Sequence, residues 1–143
     1  MRFYLDTNII LSLLDSDSLT PAALAWPEKA EGTVIISRWA LCEWIDVLHR
    51  KQRDRYYTAF EATALDHALM QWIEKRVELA EGDQSDFEQA YCWLRELTQL
   101  RSKDALHIAM AKRLNCTLVT GDALLMRLSG ALGLSVAFLE PEL

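Results

Sequence analysis

The chain has 143 residues, of which 51% are hydrophobic, and this length suits one domain with its own core. Three widely spaced cysteines, at positions 42, 92 and 116, argue against a disulfide framework or a cysteine-based zinc site. The net charge of −6 is opposite in sign to that of most nucleic-acid-binding proteins, although divalent cations held by clustered acids would invert the local potential.

The predicted elements alternate between short apolar strands and helices along the whole chain. In order, they are strand 2–6, helix 8–14, helix 21–30, strand 33–37, helix 38–53, a helical stretch 54–81, helix 85–97, helix 103–114, strand 116–120, helix 122–130 and strand 134–139. Thr20 before Pro21, Ser37 and Ser102 are placed to cap the helices that follow them. Ser85 to Glu88 form a capping-box pattern at another helix start.

The strands are apolar throughout rather than alternating, which is typical of strands buried on both faces of a sheet. Separated by helices, they predict a three-layer α/β/α sandwich with a central, mostly parallel sheet of four or five strands. We expect this fold to cover residues 1–143 as a single domain. In such sheets the ligand site lies beyond the carboxyl ends of the strands, where the strand order reverses.

Four acids are placed to meet at that edge of the sheet. Asp6 ends the first strand and Asp122 follows strand 116–120, while Glu43 lies near the second turn of the helix after strand 33–37. Asp104 lies in the first turn of an otherwise apolar helix. Converging carboxylates repel one another unless cations lie between them. Oxygen ligands of this kind favour Mg²⁺ or Mn²⁺, which activate water for phosphodiester cleavage.

Each acid also has a structural interpretation. Asp104 and Asp122 could cap or stabilise helix starts, Asp6 could form a turn, and Glu43 could be an exposed helix residue. His107 lies on the helical face of Asp104 and could reach a metal, although the pattern favours a packed or hydrogen-bonded histidine. All four structural interpretations would have to hold together for the site to be absent.

Four sequence blocks together resemble the PIN domain family. They are Y-L-D-T-N at 4–8, Ser37 with Glu43 six residues on, K-D-A-L-H-I-A-M-A at 103–111 and L-V-T-G-D at 118–122. Within the family the pattern is most similar to the VapC-type ribonuclease toxins of toxin–antitoxin pairs. Two features depart from it: the stretch 54–81 is longer and more continuously helical than expected, and no further acid follows Asp122 closely.

The resemblance implies a metal-dependent endoribonuclease with Mg²⁺ or Mn²⁺ as cofactor and a cognate antitoxin as partner. It implies catalytic roles for Asp6, Glu43, Asp104 and Asp122. It also implies that Asp6 and Asp104 bind the metal, and that Asn8 and Thr120 orient the acids. The clustering of the acids adds Asp122 as a third expected metal ligand. The apolar residues of 60–80 are assigned to the core or to a homodimer surface.

The run HRKQRDRYY at 49–57 is the best candidate for RNA contact, through Arg50, Lys51, Arg53 and Arg55 and two tyrosines that can stack on bases. A solvated helix end explains the same residues equally well. No apolar signal region precedes the first strand, and no segment has the roughly 18 uncharged apolar residues of a membrane span. We therefore expect a cytoplasmic protein.

Three other functions are open at this point. A phosphatase of the haloacid-dehalogenase type also begins with a strand that ends in Asp, but it needs a second Asp two residues on, where this chain has Asn8. A PIN-like module without catalysis could bind RNA or a partner, although all four acids are present. A PIN-domain nuclease of RNA processing would share the site without being a toxin.

Overall fold

The structure is a computed structural model that describes residues 1–17, 20–29 and 31–141. Its elements are β1 (Arg2–Leu5), α1 (Thr7–Leu14), α2 (Thr20–Lys29), β2 (Thr33–Ser37), α3 (Arg38–Arg53), α4 (Ala59–Arg76), β3 (Val77–Ala80), α5 (Gln84–Glu96), α6 (Ser102–Arg113), β4 (Thr117–Thr120), α7 (Ala123–Ala131) and β5 (Val136–Phe138). The predicted end of α2 at Ala30 lies outside the described residues. None of the described helices has the length and apolar character needed to cross a membrane.

One parallel sheet of five strands, in the order β3-β2-β1-β4-β5, forms the middle of the fold. Tyr4 of the central strand β1 pairs with Ile35 of β2 on one side and with Leu118 of β4 on the other. The predicted α/β fold with a central parallel sheet is confirmed. The chain leaves β1 for one side of the sheet and later returns to its other side as β4, so the strand order reverses between β1 and β4.

Helices cover both faces of the sheet, and the three inner strands β1, β2 and β4 are buried along most of their length, which explains their apolar sequences. Tyr4 belongs to a core cluster that includes residues of α5, α6 and α7. Its neighbours Phe3 and Leu5 point to the opposite face and pack in a second cluster with residues of α1, α3 and α4. The helices therefore lie in two layers around the sheet, as the apolar strands predicted.

The prediction of a continuous helical stretch over 54–81 is wrong. Helix α4 begins at Ala59, after a capping box between Thr58 and Glu61, and ends at Arg76. The next four residues form β3, which pairs with β2 at the edge of the sheet. No glycine or proline separates α4 from β3, so the local sequence carries no break signal, and pairing with β2 decides the conformation.

Two predicted helix caps also differ. The N-cap of α5 is Asp83, which forms a capping box with Asp86, rather than Ser85. Ser102 is the first residue of α6, and the preceding Arg101 occupies the N-cap position without a side-chain cap. Asn115, which follows the C-cap Leu114 of α6, adopts a left-handed conformation with φ of 54° that ends the helix.

Candidate active site

A cavity of about 530 Å³ opens at the carboxyl ends of β1 and β4, where the strand order reverses. The four predicted acids all line it: Asp6, Glu43, Asp104 and Asp122. They come from four different parts of the chain and meet only because parallel strands place their carboxyl ends at one edge. Basic side chains line the same cavity, namely those of Arg50, Arg101 and Lys103.

Asp6 forms the buried floor of the cavity, with 6% of its surface exposed. Its Oδ2 accepts a hydrogen bond of 2.9 Å from the Thr120 hydroxyl, and no described residue donates to its Oδ1. Asp6 occupies the N-cap position of α1, yet its side chain makes no capping bond. Burial raises the pKa of Asp6, although the Thr120 hydrogen bond opposes that shift. This carboxylate is therefore not used as a cap and is suited to a cation.

Glu43 is half-buried in the second turn of α3 and is held from two sides. Its Oε1 accepts a hydrogen bond of 3.1 Å from the Thr7 hydroxyl, and Nε2 of His107 hydrogen-bonds the same oxygen. Burial opposes ionisation, but the hydrogen bonds from His107 and Thr7 outweigh it and lower the pKa of Glu43. His107 is 1% exposed and hydrogen-bonded, which confirms the structural interpretation of this histidine.

Asp104 and Asp122 face each other across the guanidinium of Arg101. Nη2 of Arg101 lies 3.0 Å from Oδ2 of Asp104 and 3.8 Å from Oδ2 of Asp122. Oδ1 of Asp122 also caps α7 by accepting from the backbone N–H groups of Leu124 (2.9 Å) and Leu125 (3.1 Å). The capping interpretation of Asp122 is thus correct for one of its oxygens, while the other oxygen faces Arg101.

Sequence reasoning missed Arg101. Arg101 precedes Asp104 by three residues, which is the spacing of an i,i+3 ion pair on a helix. The sequence R-S-K-D at 101–104 could therefore have predicted this ion pair. The contact with Asp122 needs the tertiary fold, because the two residues belong to different elements. Among the described residues, Arg101 is the basic residue that forms ion pairs with both acids.

The two predicted supporting residues take different positions. Thr120 is fully buried, donates to Asp6 and accepts a hydrogen bond of 3.1 Å from the backbone N–H of Asp122. It therefore ties the ends of β1 and β4 together. Asn8 is exposed in the first turn of α1 and lines the cavity.

The four predicted RNA-contact residues do not form one surface at the cavity. Arg50 lines it, whereas Arg53 lines a separate shallow pocket with His49. The ammonium of Lys51 lies 4.5 Å from the ring centre of Tyr56, a cation–π contact. Arg55 is exposed in the turn after α3, with φ of 60°.

The donor chemistry of the cavity fits a hard divalent cation. Asp6, Asp104 and Asp122 offer carboxylate oxygens, which Mg²⁺ and Mn²⁺ prefer. In this arrangement, no three His, Cys, Asp or Glu side chains among the described residues are placed to hold one ion. Arg101 pairs with Asp104 and lies near Asp122, so metal binding requires its guanidinium to move aside.

Comparisons with known proteins agree with this geometry. A model of the PIN domain matches residues 3–130. The fold is similar to a chain of the Rickettsia felis VapBC2 complex with promoter DNA (TM-score 0.72, 19% identity, covering 98% of this chain and 100% of that one). It is also similar to VapC20 of Mycobacterium tuberculosis, a sarcin–ricin-loop-cleaving toxin (TM-score 0.70, 18% identity, covering 88% of this chain and 94% of that one). A third similar structure is DNA-bound VapBC of Salmonella typhimurium (TM-score 0.69, 15% identity, covering 96% of this chain and 98% of that one). No curated protein sequence matches significantly.

Proposed function

Because this chain belongs to the PIN domain family, we propose that it is a metal-dependent endoribonuclease that cleaves RNA phosphodiester bonds by attack of water. The observation that carries the proposal is the convergence of Asp6, Glu43, Asp104 and Asp122 on one cavity. Their carboxylate oxygens suit a divalent cation, and such a cation would also offset the negative charge of the RNA backbone. A phosphatase of the haloacid-dehalogenase type fits less well, because position 8 is Asn and the family match is to the PIN domain.

Asp6, Asp104 and Asp122 are the residues that would hold Mg²⁺ or Mn²⁺. When bound, such an ion neutralises phosphate charge and lowers the pKa of a coordinated water. Thr120 contributes by fixing Asp6 through its hydroxyl and the Asp122 turn through its oxygen. The side chains that define the site are thus anchored before any cation enters.

Glu43 is the candidate general base. The lowered pKa of this residue keeps it as a carboxylate at neutral pH, so that it can accept a proton from the attacking water. Arg50 lies at the edge of the cavity, where its guanidinium can bind a phosphate next to the scissile one. In-line attack on phosphorus breaks the bond to the 3′ oxygen and leaves a 5′-phosphate and a 3′-hydroxyl.

We further propose that the protein is a VapC-type toxin that acts in the cytoplasm as a homodimer with a cognate antitoxin. The support is the fold, which is shared with chains of VapBC complexes over nearly the whole length. Clustered carboxylates favour an inhibitor that inserts an arginine, since one guanidinium can pair with two carboxylates. A PIN-domain nuclease of RNA processing is the alternative, and growth of the host after induced expression distinguishes the two.

The nuclease proposal is tested by incubating purified protein with single-stranded and structured RNA, with Mg²⁺, with Mn²⁺ or with EDTA. We expect cleavage with either ion, none in EDTA, and at least about a 100-fold loss in Asp6→Asn and Asp104→Asn. Glu96→Gln removes the same charge from an exposed position at the end of α5, outside the cavity, and should cleave like the wild type. Cleavage that persists after complete chelation would contradict the proposal.

A further inference from the structure

A chain of buried polar side chains extends from Glu43 into the interior of the protein. His107, Tyr4 and Ser37 are at most 1% exposed. The Tyr4 hydroxyl lies 2.6 Å from Nδ1 of His107 and 2.8 Å from Oγ of Ser37, and Nε2 of His107 hydrogen-bonds Glu43. Polar groups this deeply buried are costly unless every one is paired, so their hydrogen positions are constrained.

These hydrogen-bonded side chains connect the strands and helices that carry the candidate site. Tyr4 lies on β1 two residues before Asp6, Ser37 ends β2, and His107 lies on α6 one turn after Asp104. Glu43 follows on α3. The position of one carboxylate at the cavity is therefore coupled, through side-chain hydrogen bonds, to the strands beneath it.

The positions of the two oxygens allow the Tyr4–Ser37 hydrogen bond to run in either direction, with Tyr4 or Ser37 as the donor. Counting donors and acceptors along the whole chain of side chains favours Ser37 as the donor. Oγ of Ser37 already accepts from the backbone N–H of Ala40 at 3.0 Å, so its own hydrogen is available for the Tyr4 oxygen. The Tyr4 hydroxyl then donates to Nδ1 of His107, which leaves the ring hydrogen on Nε2. That hydrogen points at the carboxylate of Glu43, and every group in the chain is paired.

The opposite direction pairs these groups less well. If Tyr4 donated to Ser37, no described residue would accept the Ser37 hydrogen, and Nδ1 of His107 would have to carry a proton toward Tyr4. A neutral ring would then turn the lone pair of Nε2 toward the carboxylate of Glu43.

The hydrogen bonds to Glu43 are one-sided. Thr7 and His107 both bind Oε1, and no described residue donates to Oε2. We propose that His107, locked by Tyr4 and Ser37 as the tautomer with hydrogen on Nε2, is a positioning residue that holds Oε1 of Glu43 and leaves Oε2 for the reaction. This inference rests on the proposed nuclease function and assigns His107 no contact with RNA or metal.

The first test reads the tautomer directly and needs no activity. Protein labelled with ¹⁵N-histidine is studied by long-range proton–nitrogen correlation near pH 7.5, and His107→Gln identifies the buried ring against exposed His49 and His67. We expect the pattern of a neutral ring with hydrogen on Nε2 in the wild type, and a mixture of tautomers in Tyr4→Phe. A ring with hydrogen on Nδ1, or a doubly protonated ring, would overturn the inference.

The second test compares His107→Gln with His107→Leu. Glutamine can place an amide N–H near the position of Nε2, whereas leucine has similar bulk and no donor. We expect kcat to fall about 10- to 100-fold in His107→Leu with KM unchanged, and to recover most of that loss in His107→Gln. Equal activity of both variants and the wild type, or equal loss in both variants while each melts cooperatively, would overturn the role of the hydrogen bond.

A failure of the proposed nuclease function and a failure of the inference about His107 would give different results. Wild-type protein that cleaves no RNA under any metal condition would overturn the proposed function, and the tautomer measurement would still decide how His107 holds Glu43. Wild-type protein that cleaves RNA while His107→Leu does so unimpaired would overturn only the inference. If His107→Leu does not fold, Tyr4→Phe replaces it in the kinetic comparison, with an expected smaller loss because Nε2 keeps its hydrogen in part of the population.

Discussion

Arg101 should compete with metal for Asp104 and Asp122, and its removal should strengthen metal binding. The guanidinium lies 3.0 Å from Asp104 and 3.8 Å from Asp122, and the Arg101 side chain is 57% exposed. Exposed ion pairs contribute about 0.2–1 kcal/mol each after screening, so the two pairs together contribute about 0.4–2 kcal/mol. A cation that binds both carboxylates must first break these pairs. Removing Arg101 should therefore tighten the Kd by about 2- to 30-fold.

The measurement is isothermal titration of Mn²⁺ into wild-type protein and Arg101→Gln at 0.15 M salt. Arg127→Gln is the matched control, because it removes the same charge from an exposed residue that bonds Gln99 and does not line the cavity. Arg127 forms no ion pair with a cavity residue among the described residues, and salt weakens its longer-range field, so the Kd of Arg127→Gln should stay close to that of the wild type.

An unchanged or weaker affinity in Arg101→Gln would refute the competition. Cleavage activity is a poor readout for this prediction, because an arginine at the cavity can also bind a phosphate of RNA and its loss would then lower activity. If neither protein binds Mn²⁺, as judged by heat and by the electron paramagnetic resonance signal of the free ion, Asp104 and Asp122 would be excluded as metal ligands. The binding measurement thus separates a competitor of the cation from a contact of the substrate.

Two further predictions concern stability without metal, measured by thermal and urea unfolding in EDTA. Asp6→Asn should raise the melting temperature, because burial opposes the charge of Asp6. Glu43→Gln should lower the melting temperature and reduce the free energy of unfolding by about 1 kcal/mol, because hydrogen bonds favour the ionised Glu43. Shifts of the same sign in the two variants would contradict this assignment. Asp122→Ala should lose about 1 kcal/mol through the missing cap of α7, and Asp122→Asn should lose less while both fail to cleave RNA. Equal stability of the two Asp122 variants would mean that the cap contributes nothing.

The fold was largely predictable because its strands carry a simple signal. Continuous apolar runs such as TVIIS at 33–37 occur in strands covered on both faces, and helices separate them. Strand β3 was not predictable in the same way. Its burial pattern is mixed, with Glu78 exposed, and it follows α4 without a break, so only pairing with β2 distinguishes it from one more helical turn.

The acids of the candidate site were predictable from the topology of parallel sheets, since residues after β1 and β4 must share one edge. Their partners were not. The sequence places His107 three residues after Asp104, but its contacts with Tyr4 and Glu43 join residues that are 103 and 64 positions away. Such contacts depend on how α6 is rotated against the sheet, which no local pattern specifies.

One acid can have a structural role and a catalytic role at the same time. Oδ2 of Asp6 is held by Thr120, Oε1 of Glu43 by Thr7 and His107, and Oδ1 of Asp122 by the N-terminus of α7. In each case the described residues leave the second oxygen without a hydrogen-bond donor, apart from the longer contact of Asp122 with Arg101.

A carboxylate has two oxygens, and in Asp6, Glu43 and Asp122 the fold anchors one of them by hydrogen bonds. These hydrogen bonds, together with the ion pair between Asp104 and Arg101, help four acids to lie around one cavity despite their mutual repulsion. Hydroxyl, imidazole, backbone and guanidinium donors each offset part of the negative charge. The anchoring of one oxygen also explains why a helix-cap signature at Asp122 does not argue against a site there, because capping orients the oxygen that remains.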